Sequence, residues 1–309
     1  MIGILEPSDF SEKAVTQLKA IDTVRMYDGK NLKAFLKDVH ILFVRLHYHL
    51  DASLLEQAPG LEVICTPTTG LNHIDLEYCR KKHIRIISLK GETAFLKTIR
   101  ATPEHTLGLV IALYRNYSKA FLSSSHNEWN REKHKGYEIY GSHIGIIGLG
   151  RVGSIVSKYL QNMGAIVGYY DIADRKTRAG TVKYKSVHDL IKNSETVLLC
   201  SSYDPGTGSI INKEEIDLLE GKYFINTARA ELTDETYLLK MAQRKHFRGI
   251  AIDVITHEQT TRKTLSQWLT LAERQNIIVT PHIGGATFTS MGRTEEFITG
   301  KLRAALGKK

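Results

Sequence analysis

Cysteine is scarce: the 309-residue chain carries three, at positions 65, 79 and 200. An odd number, widely spaced and without a CxxC pair, argues against a disulfide framework or a zinc knuckle and fits a reducing compartment. Long apolar runs are missing too, and no window approaches the ~20 residues that span a bilayer. The opening residues, Met1-Ile2-Gly3-Ile4-Leu5-Glu6, have no basic stretch ahead of an apolar one, so they read as a buried strand and a cytoplasmic location is expected. No Walker sequence, internal repeat or low-complexity segment occurs. Position 261 is threonine where an HExxH zinc motif starting at His257 needs its second histidine, so no metal is expected. Cys200, inside an apolar strand, and Cys65, at a strand end, read as small core residues.

Positive charge is in excess: 42 Lys and Arg against 33 Asp and Glu, a formal +9. It is spread along the chain, and its densest short group is Arg131-Glu132-Lys133-His134-Lys135. Without a basic stripe or interleaved aromatics, it points away from nucleic acid and membranes and suits small anionic substrates.

The length exceeds what one hydrophobic core usually fills, so two domains are expected. Residues 2–5, 39–45, 61–65 and 84–88 read as strands, and 11–18, 51–57 and 76–82 as helices. That alternation predicts a parallel sheet with crossover helices. A long helix follows, with Thr102 as its cap, Pro103 in its first turn and an apolar run at 107–113 carrying it toward Tyr117. Residues 122–141 are polar with one large aromatic, Trp129. A second alternation then places strands at 142–147, 165–170, 196–200, 222–226, 248–253 and 277–280, helices at 155–163, 213–219 and 237–244, and a last helix at 289–306. The fold class is α/β, with two Rossmann- or flavodoxin-like parallel-sheet domains.

The second alternation opens with Gly145-Ile146-Ile147-Gly148-Leu149-Gly150-Arg151-Val152-Gly153, an apolar strand entering GxGxxG ahead of a helix. In such a turn Gly148 permits the tight bend, Gly150 lets backbone approach a pyrophosphate, and Gly153 lets the helix pack on the strand. The helix N-terminus presents N–H groups and a positive dipole end to phosphate. The next strand ends at Asp171, whose carboxylate can accept from both adenosine ribose hydroxyls and repel a 2′-phosphate, which favours NAD over NADP. Arg175 and Lys176 follow closely and soften that preference.

In an open α/β sheet, ligands bind beyond the carboxyl ends of the strands. Three later strands deliver Thr227-Ala228-Arg229, then Asp253 with Glu258 five residues on, then Pro281-His282-Ile283-Gly284. An arginine can grip a carboxylate bidentately and polarise the neighbouring carbonyl. A histidine can exchange a proton with the C2 oxygen, and a nearby glutamate favours the imidazolium and fixes its tautomer.

At these residues the sequence resembles the D-isomer-specific 2-hydroxyacid dehydrogenases. The resemblance extends over Thr68-Thr69-Gly70-Leu71-Asn72-His73-Ile74-Asp75, Pro103-Glu104-His105-Thr106-Leu107, the glycine loop, Ile225-Asn226-Thr227-Ala228-Arg229, Gly249-Ile250-Ala251-Ile252-Asp253-Val254 and Thr280-Pro281-His282-Ile283-Gly284-Gly285. It implies Arg229, Glu258 and His282 as catalytic residues. It implies NAD held by Gly148, Gly150, Arg151, Val152, Gly153, Asp171, Thr106, Thr227, Ala228, Asp253 and Gly284, with Asp253 at the nicotinamide carboxamide. Thr69, Gly70, Arg45 and Arg229 are the implied substrate contacts. It further implies a substrate domain of 1–99 plus 285–309, a cofactor domain of 100–284 inserted into it, an active site in the hinged cleft, and a homodimer formed through the cofactor domain and the arm around Trp129.

Two departures stand out: Ala230 where the family usually has glycine, and Gln259 where proline is common. Arg45 resembles the phosphate-binding arginine of phosphoglycerate dehydrogenases, but Thr66 stands where many of those carry a second arginine. The expected substrate is therefore a small 2-hydroxy or 2-oxo acid, with or without a phosphate. No separate C-terminal regulatory domain is expected. The alternative reading is an NAD-sensing module like the corepressor relatives of this fold.

Overall fold

The computed structural model describes residues 1–203, 206, 208–256, 258 and 262–307. The chain divides into two compact units, Met1–Ile99 with Ala286–Lys309, and Arg100–Gly285. Gly285 thus falls in the larger unit, one residue away from the boundary drawn on sequence.

The smaller unit contains β1 (Ile2–Ile4), α1 (Glu12–Lys19), β2 (Val24–Met26), α2 (Leu32–Leu36), β3 (Ile41–Phe43), α3 (Ala52–Leu55), β4 (Val63–Cys65), α4 (Leu76–Lys81), β5 (Arg85–Ile87) and α5 (Thr93–Leu96). Its strands are all parallel in the order β2-β1-β3-β4-β5, the flavodoxin-like arrangement. The central triplets Ile-Gly-Ile, Ile-Leu-Phe and Val-Ile-Cys are buried throughout, as strands covered on both faces must be. Alternate residues split between two cores. Ile41, Phe43, Val63 and Cys65 pack with Leu18 of α1 and with Ile298 and Leu302 of the C-terminal helix. Leu42 and Ile64 pack with Leu36, Leu55 and Cys79 of α2, α3 and α4. Ser11, Asn31, Asp51 and Asp75 cap α1 to α4 by accepting first-turn N–H groups, which fixes where each helix starts.

The larger unit runs α6 (Ala101–Tyr114), α7 (Tyr117–Ser125), β6 (His143–Ile147), α8 (Arg151–Asn162), β7 (Ile166–Tyr170), β8 (Val182–Lys183), α9 (Val187–Lys192), β9 (Thr196–Leu199), α10 (Lys213–Asp217), β10 (Tyr223–Asn226), α11 (Glu235–Gln243), β11 (Gly249–Ile252), α12 (Arg262–Ala272) and β12 (Ile277–Val279). The order β12-β11-β10-β9-β6-β7-β8 is all parallel and reverses between β6 and β9, as a doubly wound dinucleotide-binding sheet does. Helix α13 (Phe288–Ala305) then returns the chain to the smaller unit.

Several elements depart from the sequence reading. Strands β2 and β8 lie at sheet edges and bury no residue, and no apolar run marked them. Helices α2, α5, α7, α9 and α12 were not read; α7 buries no residue, and α12 buries one, Trp268. Thr102 does not cap α6. Arg100 occupies the cap and Thr102 is already inside the first turn, where its carbonyl accepts from the Thr106 hydroxyl.

Arg45, at the end of β3, donates from Nε to Glu295 Oε1 at 2.9 Å and from Nη1 to the Ser8 carbonyl at 2.8 Å. Glu295, on α13, is fully buried and also accepts the Ser11 N–H. Burial pushes its carboxyl above the usual range despite those donors. Arg45→Met strands this buried acid, and the smaller unit is expected to lose about 3 kcal/mol or more. The double replacement Arg45→Met with Glu295→Leu recovers most of that loss in denaturant unfolding.

Candidate active site

Because the strand order reverses at β6 and β9, the loops after these strands diverge and leave a crevice at their carboxyl ends. The glycine loop lies there. Gly148 has φ +90°, and a Cβ on it would sit 2.5–2.6 Å from Ser201, including its backbone nitrogen. A Cβ on Gly153 would lie 2.2 Å from the Gly148 carbonyl oxygen, so α8 packs directly on the loop. At Gly150 the same test meets nothing within 4 Å. That glycine is demanded by neither neighbours nor an unusual φ; it borders open space beside the N-terminus of a 12-residue helix. Such a cradle fits a pyrophosphate. Arg151 and Val152, the first residues of α8, are half-buried beside it. Burial, with the charge of Arg100 adding to it, holds the Arg151 guanidinium below its usual pKa, a tension that an anion relieves.

Asp171 follows β7 and its side chain is almost fully buried. Its Oδ2 accepts the Leu149 N–H at 2.8 Å, which stitches the glycine loop to β7, and its Oδ1 accepts the Ala173 N–H at 2.8 Å. Arg175 Nε lies 3.1 Å from Oδ2, so this arginine is engaged with Asp171. Burial raises the Asp171 carboxyl, but these donors outweigh it and hold it below the usual range.

The loop after β10 is organised by Asn226, the last strand residue and itself buried. Its Oδ1 accepts the Ala228 N–H at 2.9 Å and its Nδ2 donates to the Arg229 carbonyl at 3.0 Å. Thr227 meets Thr106 of α6, hydroxyl to hydroxyl, at 2.7 Å. Arg229 is half-buried and donates from Nη1 to the Ala228 carbonyl at 2.7 Å. Ala230 enters a short 3-10 turn, Ala230–Leu232, and is not among the residues of positive φ, so alanine in place of glycine costs no strain there.

Asp253, just past β11, is 2 % exposed and gathers donors from several elements. Oδ1 accepts the Thr280 hydroxyl at 2.6 Å and the Ile283 N–H at 2.9 Å, and Oδ2 accepts the Gly284 N–H at 2.8 Å. His105 Nε2 lies 3.3 Å from Oδ1 and 3.2 Å from the Thr280 hydroxyl. Burial pushes this carboxyl up, and His105, Thr280 and Gly284 more than reverse it. A Cβ on Gly284 would fall 2.8 Å from Oδ2, which explains the glycine.

Between these anchors His282 adopts φ +53°, a left-handed conformation unusual for a non-glycine residue, and its N–H donates to the Asp253 carbonyl at 2.9 Å. Its Nδ1 lies 2.8 Å from Glu258 Oε2. A carboxylate only accepts, so Nδ1 carries the hydrogen and Nε2 is left to exchange a proton. The pair is partly open to solvent, with side chains 24 % and 36 % exposed.

Other candidate residues belong to the smaller unit. Arg45 is not presented as a loose phosphate grip, because its guanidinium is bonded to Glu295 and Ser8 inside that unit. Thr66 is buried and its hydroxyl meets that of Thr68, which donates to the Gly70 carbonyl; Thr69 is exposed. Gln259, with positions 257 and 261, lies outside the described residues. Cys65 and Cys200 are poor nucleophiles, since burial pushes both thiols up, Cys200 to about 12. Among the described residues no group of three metal-ligating side chains occurs, and no helix is long and apolar enough to cross a membrane. The roles of Asn226, His105 and Thr280 were not read from sequence. A polar residue closing an apolar strand, as Asn226 does, is the available signal, because a buried amide must find partners.

Comparison with known proteins identifies the family. Residues 107–284 match the family model of the D-isomer specific 2-hydroxyacid dehydrogenase NAD binding domain. D-3-phosphoglycerate dehydrogenase of Haemophilus influenzae is 31% identical over 84% of this chain, and that of Methanocaldococcus jannaschii 31% over 93%. The chain spans 62% and 54% of the length of these two relatives. The crystal structure of D-lactate dehydrogenase from Aquifex aeolicus, complexed with NAD and lactic acid, superposes with a TM-score of 0.85 at 27% identity, covering 99% of this chain and 95% of that one.

Three outcomes are expected of the larger unit. Gly153→Ala drives a Cβ into backbone and costs about 1–3 kcal/mol. Gly150→Ala leaves stability within about 0.5 kcal/mol but weakens NAD binding tenfold or more, about 1.4 kcal/mol; thermal unfolding and NADH fluorescence titration separate the two. Because Asp253 has a lowered folded pKa, it contributes stability above its unfolded value of about 3.9, and that contribution fades as pH falls through the folded value. Asp253→Asn therefore loses about 2–3 kcal/mol at neutral pH and loses less on acidification than the native chain, as urea unfolding across pH reports.

Proposed function

Because the chain belongs to the D-isomer specific 2-hydroxyacid dehydrogenases, we propose that it transfers a hydride between NAD and C2 of a small 2-hydroxy or 2-oxo acid. NAD, when bound, supplies or receives the hydride. Gly148, Gly150, Gly153, Arg151 and Val152 hold the pyrophosphate and Asp171 the adenosine ribose. Thr106, Thr227, Ala228, Asp253 and Gly284 take the nicotinamide half. Arg229 anchors the substrate carboxylate and polarises the adjacent carbonyl. During reduction His282 Nε2 gives its proton to the oxygen forming on C2, and during oxidation it takes that proton back. Glu258 holds the ring orientation and balances the imidazolium charge. The observation that carries the reading is the 2.8 Å contact between His282 and Glu258, on a histidine whose backbone is held in place by Asp253.

We further assign the preference to unphosphorylated acids. The arginine that resembled a phosphate ligand, Arg45, is committed to buried Glu295. Trp129, Tyr140 and Phe121 of the larger unit are 91%, 78% and 66% exposed, and a homodimer formed over them accounts for that exposure.

The test is NADH oxidation across pyruvate, glyoxylate, branched 2-oxo acids and phosphohydroxypyruvate. Turnover is expected with at least one unphosphorylated acid, and His282→Ala should lower kcat by roughly 10²–10⁴ with NADH binding retained. Full turnover in that variant, or none with any acid while NADH alters only self-association, overturns the reading.

A further inference from the structure

The loop that presents Glu258 is fastened by a residue outside the reacting set. Glu235, the first residue of α11, accepts the Thr256 N–H on Oε2 at 2.8 Å and the indole N–H of Trp268 on Oε1 at 3.1 Å. One carboxylate is therefore shared between two donors, one per oxygen. Trp268, on α12, is fully buried, so its indole N–H depends on a protein partner. The negative charge suits its place in the first turn of α11, at the positive end of the helix dipole. Glu235 also lines a small cavity with Asn226, Ala230, Thr233 and Val254. It thus sits beneath the roots of two loops, the one carrying Arg229 and the one carrying Glu258.

We propose that Glu235 is a positioning residue for catalysis: through Thr256 it fixes where Glu258 stands against His282, and Trp268 locks Glu235 in place. The inference rests on the reading of His282 and Glu258 as the acid–base pair. Replacement by glutamine makes the constraint visible. A carboxamide oxygen can still accept one N–H, but its amine then opposes the other, so Glu235→Gln must release either Thr256 or Trp268.

Steady-state kinetics on the best 2-oxo acid provide the test. Glu235→Gln is expected to lower kcat about ten- to a hundredfold, the cost of a small misplacement of a catalytic group. KM for NADH should stay within about twofold, because Glu235 bonds to neither the glycine loop nor Asp171. Adding Trp268→Phe removes the competing N–H, lets the carboxamide oxygen serve Thr256, and should restore kcat at least fivefold, roughly. If Glu235→Gln fails to fold, that double variant is compared directly with the native chain, and a kcat within about fivefold of native is expected. On a Glu258→Gln background, Glu235→Gln should add nothing, since its effect passes through Glu258. Additive losses in that cycle, or an unchanged kcat in Glu235→Gln, overturn the inference. If Glu258→Gln alone leaves turnover intact, it is the acid–base assignment that fails.

Discussion

The carboxylate of Asp253 holds the active loops together. Taken into the interior alone it would cost several kcal/mol, and it is tolerated because donors converge on it from the Thr280 hydroxyl, from the Ile283 and Gly284 backbone and from His105 of α6. In satisfying one buried charge, the chain fixes both ends of the segment that bears His282. The left-handed backbone of His282 persists under that constraint, and the imidazole is left facing Glu258. His282 is therefore oriented by the solvation demand of a neighbouring buried charge.

A related economy operates on the cofactor side. Asp171, through the Leu149 N–H, ties the glycine loop to β7. The three motif glycines divide the work by geometry. Gly148 answers to its positive φ and to Ser201, Gly153 to the packing of α8, and Gly150 to whatever occupies the open space in front of it. Asn226 plays for Arg229 the part that Asp253 plays for His282, clasping the Ala228 N–H and the Arg229 carbonyl.

Much of the fold was legible because parallel strands buried on both faces appear in sequence as short apolar runs between helices. β1, β3, β4, β6, β7, β9, β10, β11 and β12 carry such runs, and the glycine motif fixed the start of the second sheet. Strands β2 and β8 bury no residue and have no such run, and Trp268 is the one buried residue of α12. Thr102 looked like a cap because its residue type favours that place; the helix begins one residue before it, with Arg100 at the cap.

The sequence by itself determined which residues arrive at strand ends, because strand order and side-chain chemistry are written locally. Arg229, Glu258 and His282 were readable in that way, as was the cradle for a dinucleotide. The tertiary structure alone decided which charges are already spoken for. Arg45 and Glu295 lie 250 residues apart yet pair in the interior of one unit. Glu235, Thr256 and Trp268, likewise distant in sequence, meet in one hydrogen-bonded junction. Desolvation is the reason: a buried charge or N–H must find a partner wherever the folded chain brings one, and no local pattern records that pairing.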